Sequence, residues 1–80
     1  MKKFYESLGF WVGHDYDFEY QWWELYDGDE MVLQIEKRVP RKKLKDFFCD
    51  LRRKPKFFIA GDDSDPLTKK ALRTLKKAFK

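Results

Sequence analysis

The run from Tyr16 to Glu36 constrains this chain more than any other stretch. Large apolar residues alternate with polar ones up to Tyr26, Asp27-Gly28 interrupts them, and alternation resumes to Glu36. Two alternating runs flanking Asp-Gly are the strongest short-range signal for a β-hairpin, because the tight turn needs backbone conformations that Asp and Gly tolerate. A two-residue turn at Asp27-Gly28 pairs Tyr26 with Asp29. One face then carries Phe18, Tyr20, Trp22, Met31, Leu33 and Ile35, with Tyr20 opposite Ile35 and Trp22 opposite Leu33, and this is the expected core face. The other face sets Glu19 against Glu36, Gln21 against Gln34, and Trp23 against Val32 beside Leu25. Like charges directly opposite are unfavourable, so Glu19 and Glu36 require a nearby cation or solvent.

Residues 1–13 support two readings. Lys2 to Leu8 followed by Gly9 fits a short helix with Phe4 above Leu8 and a glycine cap. The same segment fits equally an edge strand continuing through Phe10-Trp11-Val12, since Phe10, Val12, His14 and Tyr16 fall on even positions, which is strand periodicity; Gly13 and Asp15 interrupt that run and favour a strand, a turn near 13–15 and then the hairpin. Downstream, Pro40 opens a helix in which Leu44, Phe47, Phe48 and Leu51 recur on one side, and Pro55 ends it. Lys56 to Ala60 is a short β-prone run closed by Gly61. Asp65 caps a second helix with Pro66 in its first turn and Ala71, Leu72, Leu75 and Phe79 as its apolar stripe.

The expected fold is therefore α+β and a single domain over residues 1–80. A small antiparallel sheet, the central hairpin (about 16–36) plus one or two further strands, is covered on one face by two amphipathic helices (about 40–53 and 66–79). So short a chain buries only about 60% of its unfolded surface and needs a dense core. Eight Phe, four Tyr and three Trp supply one.

The phrase Phe4-Tyr5-Glu6-Ser7-Leu8-Gly9-Phe10 resembles the helix-to-strand segment of the vicinal-oxygen-chelate (glyoxalase-like) family. The resemblance covers seven residues and implies a helix running into a strand. In that family the phrase follows a first strand, which this chain lacks the residues to build, and the family's metal-binding His/Glu pattern has no counterpart here. Neither its metal nor its activity is carried over.

Catalytic and cofactor chemistry find little to work with. One Cys excludes an internal disulfide and suits a reducing compartment. The N-terminus is charged where a signal peptide needs an apolar run, and no run approaches the roughly 18 apolar residues of a membrane span, so a cytoplasmic protein with no membrane partner is expected. His14 is the single histidine, no zinc ligand set exists, and the glycines are isolated rather than gathered in a phosphate loop. Cys49 lies on the polar side of the first helix, near Lys45, Arg52 and Arg53, where cations favour a thiolate. Asp62, Asp63 and Asp65 suit the start of a helix and lack the Gly spacing and distal Glu of a calcium loop. The expectation is a non-enzyme with no metal, no cofactor and no evident small-molecule substrate.

Charge is the distinctive feature. Residues 1–36 hold two cations and nine acids, a balance of −7, whereas residues 37–80 hold sixteen cations and five acids, a balance of +11. After Asp65 no acid follows. Lys69, Lys70, Arg73, Lys76, Lys77 and Lys80 share one side of the second helix, and Arg41, Lys42, Lys45, Arg52 and Arg53 line the first, where Lys42 and Asp46 are placed for an ion pair. Such like-charged neighbours repel, and a polyanion relieves the repulsion. These residues are the candidate nucleic-acid-binding set, for RNA, DNA or a ribonucleoprotein engaged through backbone charge, with an acidic protein surface as the other possible partner. The alternative is a small inhibitor or adaptor binding a host protein through a mixed-charge surface and an aromatic patch of Trp23, Leu25 and Val32. In size and lack of catalytic residues the chain is similar to compact accessory proteins of phages and mobile elements, anti-CRISPRs among them. No motif is shared with them.

Overall fold

The computed structural model describes residues 1–49, 59–61 and 64–79. Its elements run α1 (Lys2–Ser7), β1 (Trp11–Tyr16), β2 (Gln21–Asp27), β3 (Glu30–Glu36), α2 (Arg41–Cys49), β4 (Ile59–Ala60) and α3 (Pro66–Phe79). The strands form one antiparallel sheet in the order β1-β2-β3-β4. Helices and one sheet face share a core that includes Tyr5, Leu25, Ile35, Leu44, Phe48, Leu75 and Phe79. This is the expected α+β architecture, with one helix more than the two foreseen.

Of the two readings of the N-terminal segment, the helix holds for residues 2–7, and the strand begins only at Trp11. Residues 2–7 are helical, and Gly9 ends the helix at φ +98°, a conformation that side-chain-bearing residues rarely adopt. Its N–H donates to the Glu6 carbonyl at 3.0 Å and the Phe10 N–H to the Tyr5 carbonyl at 3.3 Å, the paired bonds of a Schellman cap. The chain then enters β1, so Phe4–Phe10 does run from helix to strand. The turn expected near 13–15 lies instead at residues 17–20, closed by the Asp17 N–H donating to the Tyr20 carbonyl at 2.8 Å.

The hairpin exists, but its register differs from the expected one. Asp27 pairs with Glu30, which leaves Gly28-Asp29 as the turn, with Gly28 at φ +63°. Tyr26 pairs with Met31, yet Leu25 pairs with Leu33, so Val32 is an extra residue on β3, a β-bulge. Turn and bulge together shift the pairing by three residues, and an odd shift moves the members of β2 to opposite faces. Trp23 and Leu25 turn inward with Leu33 and Ile35, whereas Trp22 and Tyr26 lie on the other face. Of the expected core face, Leu33 and Ile35 are buried, Tyr20 and Trp22 are partly exposed, Met31 is exposed, and Phe18 sits fully exposed at the 17–20 turn.

The bulge is held from behind. Thr68 of α3 is buried and its hydroxyl donates to the Val32 carbonyl at 3.0 Å. Gly61, following β4, fits against the same spot: a Cβ there would lie 2.9 Å from Leu33 Cδ2 and 3.0 Å from the Val32 carbonyl oxygen.

Both long helices match their sequence patterns. In α2, Leu44 and Phe48 are buried and Phe47 packs beside them. Its expected end, Leu51 and the strand residues before Ile59 lie outside the described residues. In α3, the Asp65 carboxylate accepts the Leu67 N–H at 2.9 Å, Pro66 occupies the first turn, and Ala71, Leu75 and Phe79 are buried. Phe79 stacks on Phe48 at 5.3 Å and meets Phe4 at 5.2 Å, tying α3 to α2 and α1.

Candidate functional site

The two-layer arrangement separates the charges of the two halves. Asp15, Glu24 and Glu30 belong to the sheet, while Lys42, Lys45, Lys69, Lys70, Arg73 and Lys77 stand exposed on α2 and α3, with Lys76 partly so. Lys70 reaches the Asp27 carboxylate at 3.7 Å, across an exposed gap that contributes little to stability. Lys42, Lys45, Lys69, Arg73, Lys76 and Lys77 meet no carboxylate among the described residues, and the pair expected between Lys42 and Asp46 does not form. The amphipathic stripes explain the arrangement: α3 buries Ala71, Leu75 and Phe79 and α2 buries Leu44 and Phe48 in the shared core, which leaves the outward side for the exposed Lys and Arg. Lys76 and Lys77 occupy the last turn of α3, where the helix dipole favours cations.

Arg41 behaves differently from its neighbours. Its guanidinium lies 4.7 Å from the Phe4 ring and 5.8 Å from that of Phe79, so it roofs the aromatic column that joins the helices. The remaining members of the candidate set, Arg52, Arg53 and Lys80, lie outside the described residues, as does the thiol environment expected around Cys49.

The aromatic patch of Trp23, Leu25 and Val32 is not a surface. Leu25 and Val32 are core residues, with 0% and 2% exposure, because the shifted register turns them inward. Trp23 is half-buried at the end of this core beneath a cluster that sequence spacing does not reveal. His14 stacks on Trp23 at 5.5 Å and on Tyr16 at 6.2 Å. Lys37 Nζ donates to His14 Nδ1 at 3.0 Å while lying 4.3 Å from the Trp23 ring and 4.8 Å from the Tyr16 ring. The one histidine is thus an acceptor for a lysine.

The shift creates a different aromatic surface on the outer face. Trp11 is 72% exposed and meets Tyr26 edge-on at 6.1 Å. Tyr26 and Glu24 lean across Gly13, where a Cβ would stand 3.2 Å from the Glu24 carboxylate and 3.5 Å from the Tyr26 ring. The missing side chain gives both room to lie flat, and the ring covers the glycine backbone in exchange. Desolvation and then the Glu24 carboxylate push the Tyr26 phenol up. Farther along, Tyr20 and Trp22 form a second ring pair at 6.0 Å. Arg38 lies over Tyr20, and it donates to the buried Glu36 carboxylate at 2.8 Å and to the Glu19 carbonyl. Glu36 therefore has the cation its burial requires, although it no longer faces Glu19.

Among the described residues, no group of three His, Cys, Asp or Glu side chains is placed to hold a metal ion, and no helix is long and apolar enough to cross a membrane. Comparison with known protein families, curated sequences and solved structures returns no match.

Proposed function

We propose that this protein is a non-catalytic binding module whose helical layer engages RNA or DNA through the phosphate backbone. The observation that carries this reading is the outward, unneutralised set of Lys42, Lys45, Lys69, Arg73, Lys76 and Lys77, on helices whose other sides are committed to the core. A chain that neutralised its own halves would bring the sheet carboxylates onto these cations; among the described residues Lys70–Asp27 is the one such contact with α3. Side chains on two neighbouring helices can follow a phosphate backbone, and contacts to phosphate carry no base information, so binding of this kind is tolerant of sequence. Asp15 and Glu24 stand on the outer face of the sheet, with Trp11 and Tyr26.

The test is fluorescence anisotropy with a labelled single-stranded RNA and a DNA duplex over a range of salt. If about five phosphates are neutralised, log K falls with log salt at a slope of about −3.5 on single strands and −4.5 on duplex DNA. Charge reversal of Lys69, Arg73 and Lys77 should abolish binding with the fold intact. Failure to bind at low salt, or binding indifferent to these substitutions, overturns the proposal.

A second reading, an adaptor or inhibitor that binds a protein, draws on a different observation: Trp11, Tyr16 and Phe18 are exposed at 72%, 65% and 104%. Exposed rings of this size favour a protein contact. Capture of a host protein that survives charge reversal on α3 and is lost on Trp11→Ala would select it.

A further inference from the structure

Among the described residues the outer edge of β1 is a free strand edge with a defined phase. β1 stands at the end of the strand order, and no described strand pairs with its far side. The Asp17–Tyr20 bond that closes the 17–20 turn fixes which backbone groups point inward, since hydrogen-bonded and non-hydrogen-bonded pairs alternate along an antiparallel ladder. Trp11, Gly13 and Asp15 bond to β2. Val12, His14 and Tyr16 direct their N–H and C=O groups outward. The Tyr16 N–H is taken by the Asp15 carboxylate at 2.9 Å, which leaves the donors and acceptors of Val12 and His14 open among the described residues.

The side chains flanking this edge have a definite chemistry. On the outer face stand Trp11 and Asp15, with Glu24 and Tyr26 in the next strand. Where β1 begins, Trp11, Tyr26, Gly28 and Asp29 line a shallow cleft. Two aromatic rings and a carboxylate around one depression suit a cation, held over the rings and opposite the acid. On the inner face, Val12 is partly buried and adjoins the apolar core.

We propose that the β1 edge binds an extended segment of a partner protein by strand addition. Lysine or arginine at alternate positions of that segment would face Trp11 and Asp15, one of them seated in the Trp11–Tyr26–Asp29 cleft, while its other positions would be apolar. Charge complementarity selects this occupant. The half of the chain that supplies the edge has a balance of −7, so a cationic strand is attracted, and the same half of a second copy is repelled. This surface lies on the sheet, apart from the helical cations, and does not depend on their having a nucleic-acid partner.

His14→Pro isolates the backbone contribution. Its N–H points away from β2, so proline there leaves the β1–β2 ladder intact but removes a donor from the free edge. His14→Ala controls for the loss of the ring. The probe is an acetylated, amidated peptide of seven residues alternating valine with lysine or arginine, titrated against the full chain by calorimetry and by amide shifts. Its glutamate counterpart is the comparison. The basic peptide should bind saturably and shift the amides of Val12 and His14, and the glutamate peptide should not bind. His14→Pro should weaken binding roughly tenfold relative to His14→Ala, about the worth of one backbone hydrogen bond. Equal binding by the two His14 variants, or by the two peptides, overturns the proposal. So does concentration-dependent dimerisation that His14→Pro abolishes, which would give the edge to a second copy. Should His14→Pro not fold, the exposed double variant Trp11→Ala with Asp29→Lys decides: retention of full affinity for the basic peptide refutes the cleft.

Discussion

Thr68 on α3 donates its hydroxyl to the carbonyl of Val32, 36 positions earlier, at 3.0 Å. Val32 is the residue that the β2–β3 ladder leaves over, and a bulge residue has no cross-strand partner of its own. The bond therefore satisfies a buried carbonyl and locks α3 to the place where the sheet changes register. Thr68→Val keeps the shape and removes the donor. It should cost about 1–3 kcal/mol in urea unfolding, the penalty for a buried polar group left without its partner, while Thr68→Ser should recover most of the loss.

Gly61→Ala tests the same junction by volume. The added methyl would approach Leu33 Cδ2 to 2.9 Å and the Val32 carbonyl oxygen to 3.0 Å, and a backbone oxygen cannot turn aside as a side chain can. Destabilisation of about 1–3 kcal/mol is expected. Alanine at Gly9 meets no neighbour, but it must adopt φ +98°, so its cost comes from the backbone alone. Both changes can be read from denaturation midpoints.

Tyr5 makes stability sensitive to alkali. It is 0% exposed, its hydroxyl has no hydrogen-bond partner among the described residues, and burial raises its phenol far above the ordinary value, against a smaller lowering by Arg41. A group whose folded value is raised contributes stability that is complete below its unfolded value, near 10, and is lost as pH rises beyond it. Above about pH 10 the protein should lose stability at up to about 1.4 kcal/mol per pH unit from this residue. Tyr5→Phe should flatten that decline, measured by denaturation at successive pH values.

Lys37 pins the end of the sheet through rings rather than through a carboxylate. Lys37→Met keeps the aliphatic stem over Trp23 and Tyr16 and removes the charge that both rings and His14 hold. A loss of about 0.5–1 kcal/mol is expected. A shift in tryptophan emission should accompany it, because Trp23 is half-buried beneath the ammonium. Trp11→Ala, at an exposed site, should leave stability nearly unchanged.

The parts of this fold that were legible in the sequence are those whose causes are local. The Asp65-Pro66 cap, the stripe of Ala71, Leu75 and Phe79, and the hairpin's two strands each follow from chemistry within a few residues. The register was not legible. Asp27-Gly28 announces a turn, yet the sequence near Val32 carries no sign of an extra residue, because what favours the bulge is Thr68 and Gly61, far along the chain. From that one error came the exchange of Trp23 for Trp22 as the inward ring. The aromatic outer face was missed for the same reason. The helical cations were legible because an amphipathic helix has only one side left for them.

The contact of Phe79 with Phe4 and Phe48 has a consequence for how the chain is made. The last described turn closes a core that the first helix begins, so no early portion of the nascent chain can complete it alone. At a synthesis rate of about 5–20 residues per second, Phe79 follows Ile35 by roughly 2–9 s. Throughout that interval the hairpin lacks the two later helices that complete the core over Leu25 and Leu33. Vulnerability to aggregation or to capture by a chaperone is therefore greater during translation, before α2 and α3 arrive, than in the finished molecule.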